Sequence, residues 1–344
     1  IRKNIAYYLK LENYLMTLHN YKDAFEGAIV ATAQHFGISE VYVEKDYWVT
    51  FALKQIFTDT NSKDIAVFKG GTSLSKCFGI IDRFSEDIDM VVIKEAGETD
   101  NSLKRKLKKV TSVLEAVMTV IPNHLLENKR GKIRKIVYGY NKVGVKGAYG
   151  QVRDQIVLEV SSLGNSQPSE KVEIHSMVTE FIATTNNPDL IKEYQLEPFK
   201  VTVISIERTF CEKIISLVRF SYTESPLEDL DNKVRHTYDL HQLLQEKRIL
   251  KFLKSDDFET MLIQVGKDDD KAIPNDKEWL SKHPSESLFF SETDKVWETV
   301  SKTYSGSFKE LLTGELPNER VVLTSLLSIA LRLKEIKWNI NLGY

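Results

Sequence analysis

Residues 65–92 read IAVFKGGTSLSKCFGIIDRFSEDIDMVV, and this stretch decides the fold. A short apolar run, residues 65–68, meets two glycines and two hydroxyl residues, and a second apolar run alternates with Asp87 and Asp89. The pattern predicts a buried strand, a glycine turn into a helix, and a second strand at residues 87–93. Because alternate side chains of a strand share one face, the two aspartates are expected to point the same way.

The composition is ordinary for a globular protein. The chain has 344 residues, 42% hydrophobic and 28% charged, so we expect a sizeable core and two or three compact units. Cys77 and Cys211 are far apart and lack ligand-like spacing with histidines, which argues against a zinc site or a disulfide framework. With no apolar run of about 18 residues and no signal-peptide core, the expectation is a cytoplasmic protein without a membrane partner.

Basic residues are concentrated in one segment. Residues 103–153 contain 13 Lys and Arg against two acids, although the formal net charge of the chain is −2. This asymmetry is typical of a surface that binds a polyanion, but a solvated helix face followed by a basic hairpin would also explain it. The candidate RNA contacts lie early in a helix predicted at residues 99–121, and they are Lys104, Arg105, Lys108 and Lys109.

A hairpin is predicted from two strands at residues 132–140 and 151–160, joined by the glycine-bearing loop 144–150. Glu159 is an acid in the otherwise apolar second strand. A buried carboxylate needs a partner or a metal ion, so Glu159 is a candidate ligand.

Two later helices each carry a charge on the apolar side. Lys213 falls within the stripe of a helix predicted at residues 205–220, and Asp239 shares the inner face of the next helix with His236. A snorkelling lysine and a satisfied core pair are the common explanations of such residues taken alone. The acidic run at residues 267–271 lacks the pattern of a calcium loop and is interpreted as a solvated turn.

Taken in order, these residues match the needs of nucleotidyl transfer. That reaction uses divalent ions held by carboxylates and a loop that grips the triphosphate. Asp87, Asp89 and Glu159 would provide the carboxylates for a site of two Mg²⁺ ions. The turn at a helix start would grip the phosphates of an NTP with Gly70, Gly71, Thr72 and Ser73.

The wording FKGGTSL followed by RFSEDID, with EKDYW upstream, resembles the AbiEii/AbiGii toxin family within the DNA polymerase β-like nucleotidyltransferase superfamily. TFCEKIISL and RHTYDL are similar to the family's lysine helix and terminal aspartate motif. The resemblance spans about residues 25–245. It implies an α+β fold in which a mixed, twisted sheet flanked by helices is followed by a mostly helical C-terminal domain.

The family resemblance also implies a division of the chain and a set of roles. Residues 1–60 would pack as helices on a core sheet at residues 61–204, and residues 205–344 would form the helical domain. Asp87, Asp89, Lys213 and Asp239 would be catalytic, with Asp239 near the acceptor or positioning Lys213. Further nucleotide contacts would come from the matching motif positions Lys69, Arg83 and Ser85.

The same resemblance implies an enzyme that adds nucleotides from an NTP to the 3′ acceptor end of tRNA, neutralised by a separately encoded antitoxin. Two positions depart from the family pattern, since His236 stands where an acid is common and Glu159 where aspartate is more usual. Transfer to a protein or small-molecule hydroxyl, and a degenerate nucleotide-binding module, are the alternatives. The intact aspartate pair argues against the module, because pure binding has no need of two adjacent carboxylates.

Overall fold

The computed structural model describes residues 17–85, 87–144, 153–272 and 278–340. Across these residues a mixed seven-stranded sheet has the order β3-β4-β5-β2-β1-β7-β6. The strands are β1 Ala66–Lys69, β2 Ile88–Val92, β3 Thr119–Val120, β4 Ile133–Gly139, β5 Ile156–Ser161, β6 Ser169–Ile174 and β7 Phe199–Ile204. The helices are α1 Lys22–Phe36, α2 Glu40–Thr58, α3 Gly70–Lys76, α4 Asp100–Glu115, α5 Met177–Ala183, α6 Asp189–Glu193, α7 Ile206–Phe220, α8 Pro226–Asp231, α9 Val234–Leu243, α10 Lys247–Leu253, α11 Asp256–Ala272, α12 Glu278–Ser281, α13 Leu288–Ser291, α14 Thr293–Ser305 and α15 Glu319–Leu333.

The sheet mixes both kinds of pairing. β1 pairs antiparallel with β2 and parallel with β7, and β2 pairs parallel with β5. β4 and β5 form the predicted antiparallel pair, although residues 145–152 of their connection lie outside the described residues. The predicted α+β class, with a mixed sheet followed by helices, is therefore confirmed.

The two faces of the sheet differ in chemistry. Phe68, Ile88, Met90 and Leu158 are fully buried in a core that also includes apolar residues of α2 and α4. Alternate residues of the same strands point to the opposite face, where the charged side chains of β1, β2 and β5 lie. The strand alternation thus places the charged residues on the face away from α2 and α4.

A second core lies among the helices that follow β7. Phe210, Ile214 and Leu217 of α7 pack there as the predicted stripe, together with aromatic residues of α9 and α14. Within the described ranges, no helix combines the length and apolarity needed to cross a bilayer.

Three local predictions were wrong. The helix predicted to reach residue 121 ends at Glu115, and the chain then forms the short edge strand β3. β6 was not predicted, because charged residues alternate along it and its pairing with β7 is tertiary. The acidic run at residues 267–271 lies in α11 and is not a turn, since Asp268 is buried against an arginine of α7.

Candidate active site

One register row of the sheet carries four charges. Lys69 of β1 is paired with Asp89 of β2, Asp89 with Glu159 of β5, and Glu159 with Lys135 of β4. Residues paired in register share a sheet face, so these side chains form a row of cation, two anions and cation. The Nζ atom of Lys135 lies 2.7 Å from Oε2 of Glu159. Glu159 therefore lies beside Asp89, as its predicted role requires.

Asp87 joins this row from the residue before β2. Its Oδ1 accepts a hydrogen bond of 2.7 Å from Nη1 of Arg153. Burial first, and then the neighbouring charges of Glu159 and Asp87, raise the pKa of Asp89 to about 7 against the opposing charges of two lysines. The site thus concentrates three carboxylates whose mutual repulsion a cation would relieve.

The glycine turn lies directly against these carboxylates. Gly70 has a φ of +83°, and a Cβ atom there would lie 2.5 Å from Oδ2 of Asp89. A Cβ atom on Gly71 would lie 2.5 Å from Nη2 of Arg83 and 3.0 Å from Oγ of Ser85. Both positions therefore require glycine, the first also because of its left-handed backbone.

The hydroxyl residues after the glycines hold the loops together. Thr72 Oγ1 donates to the carbonyl of Asp87 at 2.5 Å and lies 2.9 Å from Oγ of Ser85. Ser73 Oγ donates to the carbonyl of Gly70 at 2.8 Å. These bonds tie the turn to the segment that presents the aspartates.

Behind the turn, Asp239 anchors two cations in the protein interior. Arg83 contacts both of its carboxylate oxygens, at 2.6 and 2.7 Å, and Lys213 Nζ lies 2.6 Å from Oδ2. The side chain of Asp239 is 0% exposed. Burial by itself raises the pKa of Asp239, but Arg83 and Lys213 together hold it well below its usual range. This geometry corresponds to positioning of Lys213, the second of the two roles predicted for Asp239.

A cleft of about 540 Å³ opens between the charged sheet face and α7. Six of the predicted site residues line it: Lys69, Gly70, Gly71, Asp89, Glu159 and Lys213. The other predicted residues of the turn, the loop and α9 do not line this cleft, namely Thr72, Ser73, Arg83, Ser85, Asp87 and Asp239. Arg83 and Ser85 line a different cavity. The structure thus brings Glu159 and Lys213 to the first motif across more than 60 residues of sequence.

The wall opposite the sheet contains charges that the sequence reasoning missed. Lys69 pairs with Glu212 at 3.0 Å, and Glu212 pairs with Arg208 at 3.0 Å. Arg208 reaches Asp268 at 2.8 Å, and Arg219 reaches Asp269 of the same helix at 2.9 Å. The i,i+4 spacing of Arg208 and Glu212 was a usable local signal. The partners of Arg208 and Arg219 on α11 could not be found from local spacing, because the intervening chain is long.

His236 also lines the cleft, beside Lys213. Its Nδ1 atom is buried and makes no hydrogen bond with any described residue. Burial, and then the charge of Lys213, lower the pKa of His236 well below its usual value, so the imidazole is neutral near pH 7. An unpaired buried polar atom in a cleft wall is costly unless a ligand completes its hydrogen bond.

The four candidate RNA contacts lie elsewhere. Lys104, Arg105, Lys108 and Lys109 are exposed on α4, which packs on the sheet face opposite the carboxylates. A second cavity of about 410 Å³ extends beside the start of α4 and shares Leu163 and Gly164 with the cleft. This cavity therefore adjoins the cleft, although none of the four candidate RNA contacts lines it.

The donor atoms of the site suit a hard divalent cation, since Mg²⁺ prefers carboxylate oxygens. Burial, and then the charges of Glu159 and Asp87, raise the pKa of Asp89, and such an ion would relieve the repulsion between these carboxylates. In the part of the chain that the structure describes, no three His, Cys, Asp or Glu side chains converge as a ligand set. Asp87 and Glu159 are instead each engaged by a basic side chain of the protein.

A glycine turn packed on a strand aspartate in the middle of a mixed sheet, with further carboxylates beside it, is the arrangement expected of a nucleotidyltransferase. A sequence profile for the nucleotidyl transferase AbiEii toxin of a type IV toxin–antitoxin system matches residues 52–324. The chain belongs to this family, which confirms the resemblance found from its motifs. The protein is thus a toxin nucleotidyltransferase, and the family implies a nucleotide substrate and an antitoxin partner.

One solved structure supports the fold. The chain is similar to MenT4, nucleotidyltransferase toxin Rv2826c from Mycobacterium tuberculosis H37Rv, with a TM-score of 0.51 and 16% identity over 90% of each chain. It is also similar to JHP933 from Helicobacter pylori, with a TM-score of 0.37 and 18% identity over 84% of this chain and 90% of that one. No curated protein matches the chain in sequence.

Proposed function

We propose that the enzyme transfers NMP from an NTP to the 3′ acceptor end of tRNA and thereby inhibits translation in the bacterial cytoplasm. The observation that carries the proposal is the row of Lys69, Asp89 and Glu159 facing Lys213 across one cleft. Its volume of about 540 Å³ is within the ordinary range for a site that holds a cofactor-sized molecule.

In this reaction the 3′ oxygen of the acceptor attacks the α-phosphorus of the NTP. The bond from that phosphorus to the bridging oxygen breaks, and pyrophosphate leaves. Asp87, Asp89 and Glu159 would hold Mg²⁺, which when bound lowers the pKa of the attacking hydroxyl and neutralises charge on the phosphates. These carboxylates lie next to the glycine turn and would hold such an ion there.

The remaining residues bind and orient the nucleotide. Lys213 brings a positive charge to the cleft wall, and Asp239 with Arg83 fixes its position from behind. Lys69, at the end of β1, brings a second charge beside Gly70. The neutral imidazole of His236 is available to hydrogen-bond the nucleotide, because its Nδ1 has no partner among the described residues.

The acceptor RNA would approach through the second cavity, which reaches the start of α4. The exposed residues Lys104, Arg105, Lys108 and Lys109 would then contact phosphates away from the reacting end, with little reading of base sequence. In this arrangement residues 61–204 and 205–344 act as two domains that form the two walls of the site, with residues 1–60 supporting the first.

The experiment is transfer from each of the four α-³²P-labelled NTPs to total tRNA, with RNA and protein separated afterwards. We expect label at the tRNA 3′ end, and none when the terminal ribose has been oxidised with periodate. Asp89→Asn should abolish transfer, whereas Asp64→Asn, an exposed residue far from the cleft, should not. Label found only in protein would instead favour protein nucleotidylation and would refute the proposed acceptor.

A further inference from the structure

Two of the three carboxylates are already engaged by basic side chains from the β4–β5 pair. Lys135 of β4 lies 2.7 Å from Glu159, and Arg153, three residues before β5, lies 2.7 Å from Asp87. All four side chains are between 28% and 41% exposed. They are therefore sufficiently exposed to solvent to exchange partners, unlike the buried side chains around Asp239.

The position of Arg153 is built into the fold. Its backbone carbonyl accepts a hydrogen bond of 2.6 Å from Nζ of Lys45, a fully buried residue of α2. Lys45 also donates to the carbonyl of Gln155, and the neighbouring Glu44 accepts from the backbone N–H of Val143. The buried charges of the EKDYW motif thus hold both arms of the hairpin and direct Arg153 to Asp87.

Each carboxylate of the site has a basic neighbour. Arg153 pairs with Asp87, Lys135 pairs with Glu159, and Lys69 lies beside Asp89. A divalent cation that took Asp87 and Glu159 as ligands would compete with their basic partners for the carboxylate oxygens. An ammonium or guanidinium group released in this way would be available to a phosphate that binds with the metal.

We propose that Lys135 and Arg153 are exchangeable counter-ions, which compete with the divalent metal for Glu159 and Asp87 and pass to the triphosphate when metal and nucleotide bind together. They are positioning residues for the metal and contact residues for the nucleotide. This inference rests on the metal role proposed for the three carboxylates. Its thermodynamic consequence is that metal and nucleotide strengthen each other's binding, by the same factor in both directions.

The test measures metal binding directly. Mn²⁺ affinity is determined by electron paramagnetic resonance for the wild type, Lys135→Gln, Arg153→Gln and the double variant, with and without the α,β-methylene analogues of the four NTPs. Lys142→Gln is the matched control, because Lys142 pairs near the same hairpin ends with Asp154, which is not one of the three carboxylates. Circular dichroism verifies the fold of each variant.

Without nucleotide, each removed cation should tighten Mn²⁺ binding about two- to fivefold, the range expected for half-exposed ion pairs. The nucleotide analogue should bind more weakly to the same variants, and its effect on Mn²⁺ affinity should shrink. Folded variants with unchanged or weaker Mn²⁺ binding would overturn the counter-ion role. If the wild type binds no Mn²⁺, or if Asp89→Asn leaves Mn²⁺ binding unchanged, the metal assignment in the proposed function fails instead, and the counter-ion role fails with it.

Discussion

Asp239→Asn is the substitution that most directly tests how the interior supports the site. Asp239 is fully buried and holds Arg83 through two short contacts and Lys213 through one. The two basic side chains are only 4% and 7% exposed. Replacing the carboxylate by a neutral amide of the same shape leaves both cations buried without a counter-charge, while the packing stays nearly the same.

The expected cost follows from that geometry. Removing one partner of a buried ion pair typically destabilises a protein by about 3–5 kcal/mol, mostly because the remaining charge is not compensated. For a chain of 344 residues that unfolds cooperatively, this corresponds to a fall in Tm of about 5 °C. Nucleotide transfer should fall as well, because Lys213 loses the contact that fixes it in the cleft wall.

The assay combines calorimetric Tm, measured at pH 7 and at pH 3, with labelled-nucleotide transfer at pH 7. The pKa of Asp239 is lower in the folded chain than in the unfolded one. Its contribution to stability is therefore complete above the unfolded value of about 3.9 and is lost as the pH falls through the folded value. The difference between wild type and Asp239→Asn should accordingly begin to shrink below about pH 4.

Asp64→Asn is the control, since Asp64 is exposed and makes no ion pair among the described residues. Asp239→Asn with a Tm within about 1 °C of the wild type would refute the reasoning, because a buried carboxylate between two cations cannot be neutralised at so small a cost. If Asp239→Asn has a lowered Tm but full transfer activity, then Asp239 stabilises the fold but is not needed to position Lys213 for transfer.

Three further predictions follow from other contacts. Gly70→Ala should reduce transfer at least tenfold, because the added Cβ would collide with Asp89. Gly79 has a similar φ of +61° but lies in open space, so Gly79→Ala should cost only about 1–2 kcal/mol of stability and keep transfer activity. In urea titrations, Arg208→Met should lower the free energy of unfolding by about 3 kcal/mol and Arg219→Met by less than about 1 kcal/mol. The reason is that, of the two ion pairs with α11, only that of Arg208 is buried, and equal losses would contradict it. Charge reversal at Lys104, Arg105 and Lys108 of α4 should weaken tRNA binding and reduce its salt dependence in filter-binding assays. Unchanged affinity at low salt would exclude these three residues from the proposed RNA contacts.

Several features of the site were accessible from local pattern. The apolar alternation of β2 predicts that Asp89 points away from the core, and the two glycines predict a sharp turn before a helix. Both features depend on residues that are close in sequence, so the periodicity of apolar residues and the conformational preference of glycine are enough to predict them. Glu159 and Lys213 could be selected for a similar reason, because each is a charge within an apolar pattern.

Partner choice was not accessible in this way. Arg83 and Asp239 are 156 residues apart, and Asp268 is interpreted as part of a solvated turn until Arg208 is placed beside it. The sequence also could not indicate that Lys135 and Arg153, and not the basic residues of α4, lie beside the carboxylates. Both groups belong to one basic segment.

The sequence alone thus indicated the strands β1, β2, β4 and β5, the glycine turn and the family of this nucleotidyltransferase toxin, because each depends on short-range pattern, whereas β3 and β6 were missed. The tertiary structure decided which charges meet. The parallel pairing of β2 with β5 places Glu159 beside Asp89, and the antiparallel pairing of β5 with β4 adds Lys135 to the same row. Such neighbours are set by the order of strands in the sheet, and strand order depends on long-range packing that no local period records.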